Sequence, residues 1–160
     1  MFTAFPREVT NLGPDSILGS AFGVTCFKAF LAGFLSTLVF HQGLLAILHA
    51  ASATPRTAYA LTPIPPFHVP AVLSLSFWGG VWGIVLWLLI GRAGGATYWL
   101  LALILGAILP SIVALFVVFP LKGQPVAGGW KTQMIVGALI LNGAWGIGVA
   151  LFMRLFQRSG

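Results

Sequence analysis

His41 and Gln42 are the residues of this sequence best placed to do chemistry, because both sit inside a long apolar run. An ionisable side chain at membrane depth is a functional candidate by default. A neutral imidazole there can ligate haem iron or the magnesium of bacteriochlorophyll, bond a quinone carbonyl, or simply bond another helix. Thr37, one helical turn earlier, leaves only moderate room for a macrocycle. His49 lies about 12 Å further along a helix and about 80° around it, so the two histidines cannot hold one metal from the same helix. A bis-histidine haem would need His68 from across the bundle, and His68, like His49, reads as a boundary residue. Trp78 and Trp82, four apart and on one face, can stack against a cofactor ring, a neighbouring subunit or acyl chains. His41, Gln42, Trp78 and Trp82 therefore form the candidate cofactor-binding set. Haem, bacteriochlorophyll and quinone are the groups that this set admits, and the sequence requires none of them.

Other chemistries are closed off. The chain holds two acids, Glu8 and Asp15, and neither falls in an apolar run. A paired-carboxylate acid–base site and an Asp/Glu proton relay are thereby excluded. Cys26 is alone, so no disulfide within the chain and no CxxC metal or redox site can form. Serine, histidine and acid do not assemble into a triad. No catalytic residue and no metal set is expected, and the chain does not read as an enzyme. The eight Lys and Arg give a net charge of +6. They are scattered singly near the ends of apolar runs, which suits topology anchors and headgroup contacts rather than nucleic acid.

The elements that must position these residues follow from composition. Only 6% of the 160 residues are charged and 59% are hydrophobic, against about 25% charged in soluble domains. So few charges cannot cover a water-soluble surface, and the chain belongs in lipid. Four apolar stretches, at about 27–49, 69–90, 98–121 and 134–153, are each long enough to cross about 30 Å of hydrocarbon as a helix. Period-two alternation is missing, which argues against a membrane barrel. The expected fold is all-α: a polytopic membrane protein, one domain over 1–160, with a four-transmembrane-helix bundle and both termini on one side.

The first stretch exceeds a signal-peptide apolar core and is expected to stay as a helix. Residues 1–26 read as an N-terminal interfacial segment, with Gly13-Pro14-Asp15 as a helix start. Arg154 closes the fourth stretch. Arg7, Lys28, Arg92, Arg154 and Arg158 share the side of the termini, and Arg56, Lys122 and Lys131 the other. That balance favours cytoplasmic termini. The proline-rich loop from Ala50 to His68 should be stiff and solvated.

Inside the spans, Gly80-Val81-Trp82-Gly83-Ile84 recurs as Gly143-Ala144-Trp145-Gly146-Ile147. Spans one and three show no comparable match at that offset, so duplication and convergence on a packing motif both stay open. Small residues four apart, among them Ala29 with Gly33, Gly79 with Gly83, and Ala102 with Gly106, make strips for close helix approach. Gly143, Gly146 and Ala150 form a further stripe. Asn142, at mid-span, should face another helix to satisfy its amide, or contact a ligand. Pro110 should kink the third span, with Ser111 placed to re-satisfy part of the ladder.

The runs Phe40-His41-Gln42-Gly43, Pro66-Phe67-His68-Val69-Pro70, Phe77-Trp78-Gly79-Gly80-Val81-Trp82-Gly83 and Phe119-Pro120-Leu121-Lys122-Gly123-Gln124-Pro125 together resemble a group of small, uncharacterised bacterial four-span inner-membrane proteins. The resemblance implies a bacterial inner membrane and brings no activity, cofactor or site. The expected role is a non-catalytic integral or accessory subunit of a larger membrane complex, of the respiratory or photosynthetic kind. Its expected partners are the bilayer and other membrane subunits or further copies of itself. A haem-, pigment- or quinone-binding protein using His41 is the alternative. A small transporter or channel for a neutral solute is a third reading, supported by Pro110, Asn142 and the echo.

Overall fold

A computed structural model describes residues 14–158, with side chains described from Gly19 onward. Four helical spans cross the long axis of the molecule. Span one joins α1 (Pro14–Ser36), a π turn (Thr37–His41) and α2 (Gln42–Ala50) in one unbroken helix. Span two is α3 (Ala71–Ile90). Span three joins α4 (Gly95–Val113), a second π turn (Ala114–Val118) and the short α5 (Phe119–Leu121), and span four is α6 (Thr132–Arg158).

The first helix begins well before Phe27. The expected interfacial segment is, from Pro14 on, the opening turns of span one, while residues 1–13 lie outside the described part. Gly19 and Gly23 lower helix propensity there without breaking the ladder. The apolar stretch Gly19–Ala50 is 32 residues, about 48 Å of helix. Span four likewise passes through Arg154 to Arg158. The Arg154 guanidinium stands 4.5 Å from the centre of the Tyr98 ring, an aromatic face that accommodates the cation without ending the helix.

The loop after span one is more ordered than a solvated connection. Pro63–Ile64 (β1) pairs antiparallel with Val69–Pro70 (β2), Pro63 opposite Pro70. Ala71 and Val72 donate their backbone N–H groups to the carbonyls of Thr62 and Ala60. The loop thus supplies acceptors to orphan donors at the start of α3. In span three the helix continues past Pro110, and an irregular π turn follows one turn later, at Ala114–Val118.

Helix packing sets the order α3–α1–α6–α4. The most extensive contacts are α1 with α3 and α4 with α6, followed by α1 with α6, while α3 and α4 touch much less. The core gathers where spans two and three are joined, around Ala29, Leu86, Ile90, Tyr98, Trp145 and Met153.

Both hairpins are built on the same glycine contacts. In the first, a Cβ on Gly33 would fall inside the Gly79 carbonyl, and one on Gly83 would meet the Ala29 carbonyl. In the second, a Cβ on Gly106 would lie 2.7 Å from Gly146 Cα, and one on Gly146 would meet the Ala102 carbonyl. Ala29 and Gly33 on span one therefore correspond to Ala102 and Gly106 on span three. Gly79 and Gly83 correspond to Asn142 and Gly146. With no hydrophobic force between helices in lipid, this backbone-to-backbone approach supplies much of the association.

Candidate functional site

The π turn of span one is the polar centre of the molecule. Its last residue is His41, and Gln42, buried beside it, donates its backbone N–H to the Thr37 carbonyl five residues back. Such turns widen a helix and recur at functional sites. Tyr59, from the loop after span one, closes over it. Its backbone N–H donates to Gln42 Oε1 at 2.7 Å, and its hydroxyl donates to the Leu38 carbonyl at 2.9 Å.

This contact fixes the chemistry of His41. A backbone N–H only donates, so the oxygen of the Gln42 amide must point at Tyr59. The amide nitrogen then faces His41 Nδ1, 3.3 Å away. That nitrogen also only donates, so Nδ1 is the acceptor and the ring proton sits on Nε2. Nε2 has no hydrogen-bond partner among the described residues. His41 is therefore set up as a hydrogen-bond donor, suited to a carbonyl oxygen. A metal ligand needs a lone pair at that nitrogen, which this tautomer does not offer.

Gln42 has both ends of its amide occupied within the chain. Among the described residues no hydrogen bond joins Trp78 or Trp82 to His41, whose ring bonds to Gln42. Trp78 is 58% exposed on the outer face of span two, its ring edge-on to Phe77 at 5.9 Å. Trp82 packs against the core. Of the four candidate cofactor residues, His41 and Gln42 are joined by a hydrogen bond, and the two tryptophans lie on span two. Among the described residues no group of three His, Cys, Asp or Glu side chains could hold a metal.

Ser36, Thr37 and Trp145 form a second polar group one turn away. Ser36 donates to the Trp145 carbonyl at 2.6 Å, and the Trp145 indole N–H donates to the Gly33 carbonyl at 3.0 Å. Thr37 donates to that same carbonyl, also at 3.0 Å. The Thr37 hydroxyl occupies the space that a side chain at Gly79 would need. In the second hairpin Asn142 Nδ2 donates to Ser111 Oγ at 2.9 Å. Gly143 and Gly146 face span three, whereas Gly148 faces Ser36 and the Phe40 ring of span one. No buried side-chain nitrogen or oxygen lacks a partner among the described residues.

Sequence reasoning alone did not single out Ser36, Tyr59 or Tyr98, whose hydroxyl donates to the Ala150 carbonyl at 2.9 Å. For the two serine and tyrosine residues inside helices the available signal was a hydroxyl beside the small-residue strips. For Tyr59 the sequence carried none. Comparison with known protein families, curated proteins and solved structures finds no match to this chain.

Proposed function

We propose that this multi-pass membrane protein is a non-catalytic integral or accessory subunit of a larger bacterial inner-membrane complex, with both termini on the cytoplasmic side. The observation that supports this reading is the unequal length of the spans. The helix of span one covers 32 residues from Gly19 to Ala50 and that of span two covers 20, a surplus of about 18 Å. Lys28 is bonded to the Phe156 carbonyl in the last turn of span four. The helix before Val24 therefore runs past the end of its neighbour. Phe22 is 60% exposed there, and no described residue approaches Gly19 or Gly23. An apolar helical arm beyond its own bundle calls for another protein to cover it. The polar groups at depth fit the same role, since they tie helix to helix rather than line a cavity.

The test is native-mass analysis of the tagged chain extracted in mild detergent. The expected result is a complex with at least one other integral protein, lost in Phe22→Glu while the bundle's melting temperature is unchanged. A solitary monomer in several detergents sinks the proposal.

His41 supports a second reading, a quinone-binding protein, because its Nε2 has no hydrogen-bond partner among the described residues. A visible spectrum and quinone content of the purified protein decide it. Absence of quinone, with His41→Ala indistinguishable from the parent, ends that reading. A haem or bacteriochlorophyll band would instead show that the Gln42–His41 arrangement rearranges on binding.

A further inference from the structure

The end of the bundle that carries the termini has two grooves, each with one basic residue. One, of about 310 Å³, lies between the early turns of span one and the last turn of span four, lined by Val24, Phe27, Lys28, Leu31 and Phe156. The other, of about 290 Å³, lies at the close of span two, lined by Trp87, Leu88, Gly91 and Arg92. Each holds one cation, but only the Lys28 groove has mainly apolar walls, and both volumes fall near the lower end of ligand clefts, which begin at about 300 Å³.

The cation of the first groove has a charge to satisfy. Lys28 Nζ donates to the Phe156 carbonyl at 2.9 Å. An ammonium carries three donors, so two remain. From residue 19 onward the sequence contains no Asp or Glu, while Lys28, Arg92, Arg154 and Arg158 gather at this end. Among the described residues the groove therefore pairs an ammonium that meets no carboxylate with apolar walls, at the level where spans two, three and four end. That level, in a bilayer, is the boundary between headgroups and acyl chains.

We propose that the Lys28 groove binds an anionic phospholipid, its phosphate on Lys28 and the upper part of an acyl chain along Phe27, Leu31 and Phe156. An anionic lipid fits better than a zwitterionic one because nothing in the described chain offsets the positive end. A headgroup with its own ammonium would meet Lys28 with like charge.

The full-length protein in mild detergent, titrated with phosphatidylglycerol or phosphatidylcholine of identical chains and read by native mass spectrometry, tests this. The expected result is retention of phosphatidylglycerol at one per protein, with phosphatidylcholine several-fold weaker. Lys28→Gln should weaken the site about fivefold, the equivalent of about 1 kcal/mol for one basic residue near the surface, and Lys28→Arg should restore it. Because Lys28 also bonds the end of α6, Phe27→Ala serves as the second variant. Phe27 is 62% exposed, so its loss should lower lipid retention with the melting temperature unchanged. Equal retention of the two lipids, no effect of either Lys28→Gln or Phe27→Ala, or displacement of the lipid by glycerol phosphate without acyl chains each overturns the proposal.

Discussion

In the hairpin of spans one and two, the position facing the odd-numbered helix is Gly79, and the Thr37 hydroxyl of that helix fills the space above it. In the hairpin of spans three and four the same position is Asn142, whose amide reaches Ser111 instead. The apolar contacts around them are equivalent: an Ala-x-x-x-Gly strip on one helix and a glycine of the Gly-x-Trp-Gly motif on the other. The tryptophans differ more. Trp145 sends its indole N–H across to Gly33 in the other hairpin, while Trp82, its counterpart, has no hydrogen-bond partner among the described residues. One packing scheme thus serves twice within hairpins, while the bonds between hairpins, from Lys28, Ser36 and Trp145, all join span one to span four. Spans two and three therefore lie at the outside.

The comparison is tested most severely at the glycines. Gly33→Leu and Gly146→Leu each place a side chain inside a facing backbone carbonyl, a cost of roughly 3 kcal/mol or more. Loss of the folded monomer in detergent is expected for both. Gly137→Leu, where nothing lies within 4 Å, should fold normally. A well-folded Gly146→Leu would break the equivalence of the two hairpins.

A smaller effect separates the tryptophans. Trp145→Phe removes one bond between hairpins and should cost about 1 kcal/mol, read as a lower melting temperature. Trp82→Phe should be close to neutral, and equal losses would erase the asymmetry. Smaller again, a double-mutant cycle of Asn142→Leu with Ser111→Ala should give a coupling near 0.6 kcal/mol. A coupling of zero would mean that the second hairpin holds together on glycine packing alone.

The least effect on overall stability is expected from Tyr59→Phe, a few tenths of a kcal/mol for an exposed hydroxyl bond. Its signature is local, in faster amide exchange around Leu38–Gln42. Unchanged exchange there would show that the loop does not brace the π turn, and that the two odd spans keep their irregular turns by the same unaided means.

The four spans were legible because hydropathy and length are properties of each segment alone. Their ends were less so. Hydropathy reads where apolar side chains lie, and helices carry on past Lys28 and Arg154 because a carbonyl or an aromatic ring receives the cation. The likeness of spans one and three was hidden by loop length. Gly33 and Gly83 are fifty residues apart, Gly106 and Gly146 forty, and the loops 51–70 and 122–131 differ by the same ten. A fixed-offset comparison therefore finds the echoed Gly-x-Trp-Gly and misses its partner strip. Of the site, His41 and Gln42 stood out by polarity at depth. The π turn and Tyr59 did not, since a one-residue widening has no compositional mark and Tyr59 reaches Gln42 only through the path of a seventeen-residue return.

Tyr59 gives that loop a mechanical meaning. It grips the helix twice, at a side-chain oxygen and at a main-chain carbonyl, within two turns of the Ser36–Trp145 link between hairpins. The loop is a short lever whose far arm stands outside the membrane and whose near arm rests on the joint between the two halves. Residues 51–70 are thus tied to the neighbourhood of that joint by two hydrogen bonds, at the π turn where the helix departs from regular geometry.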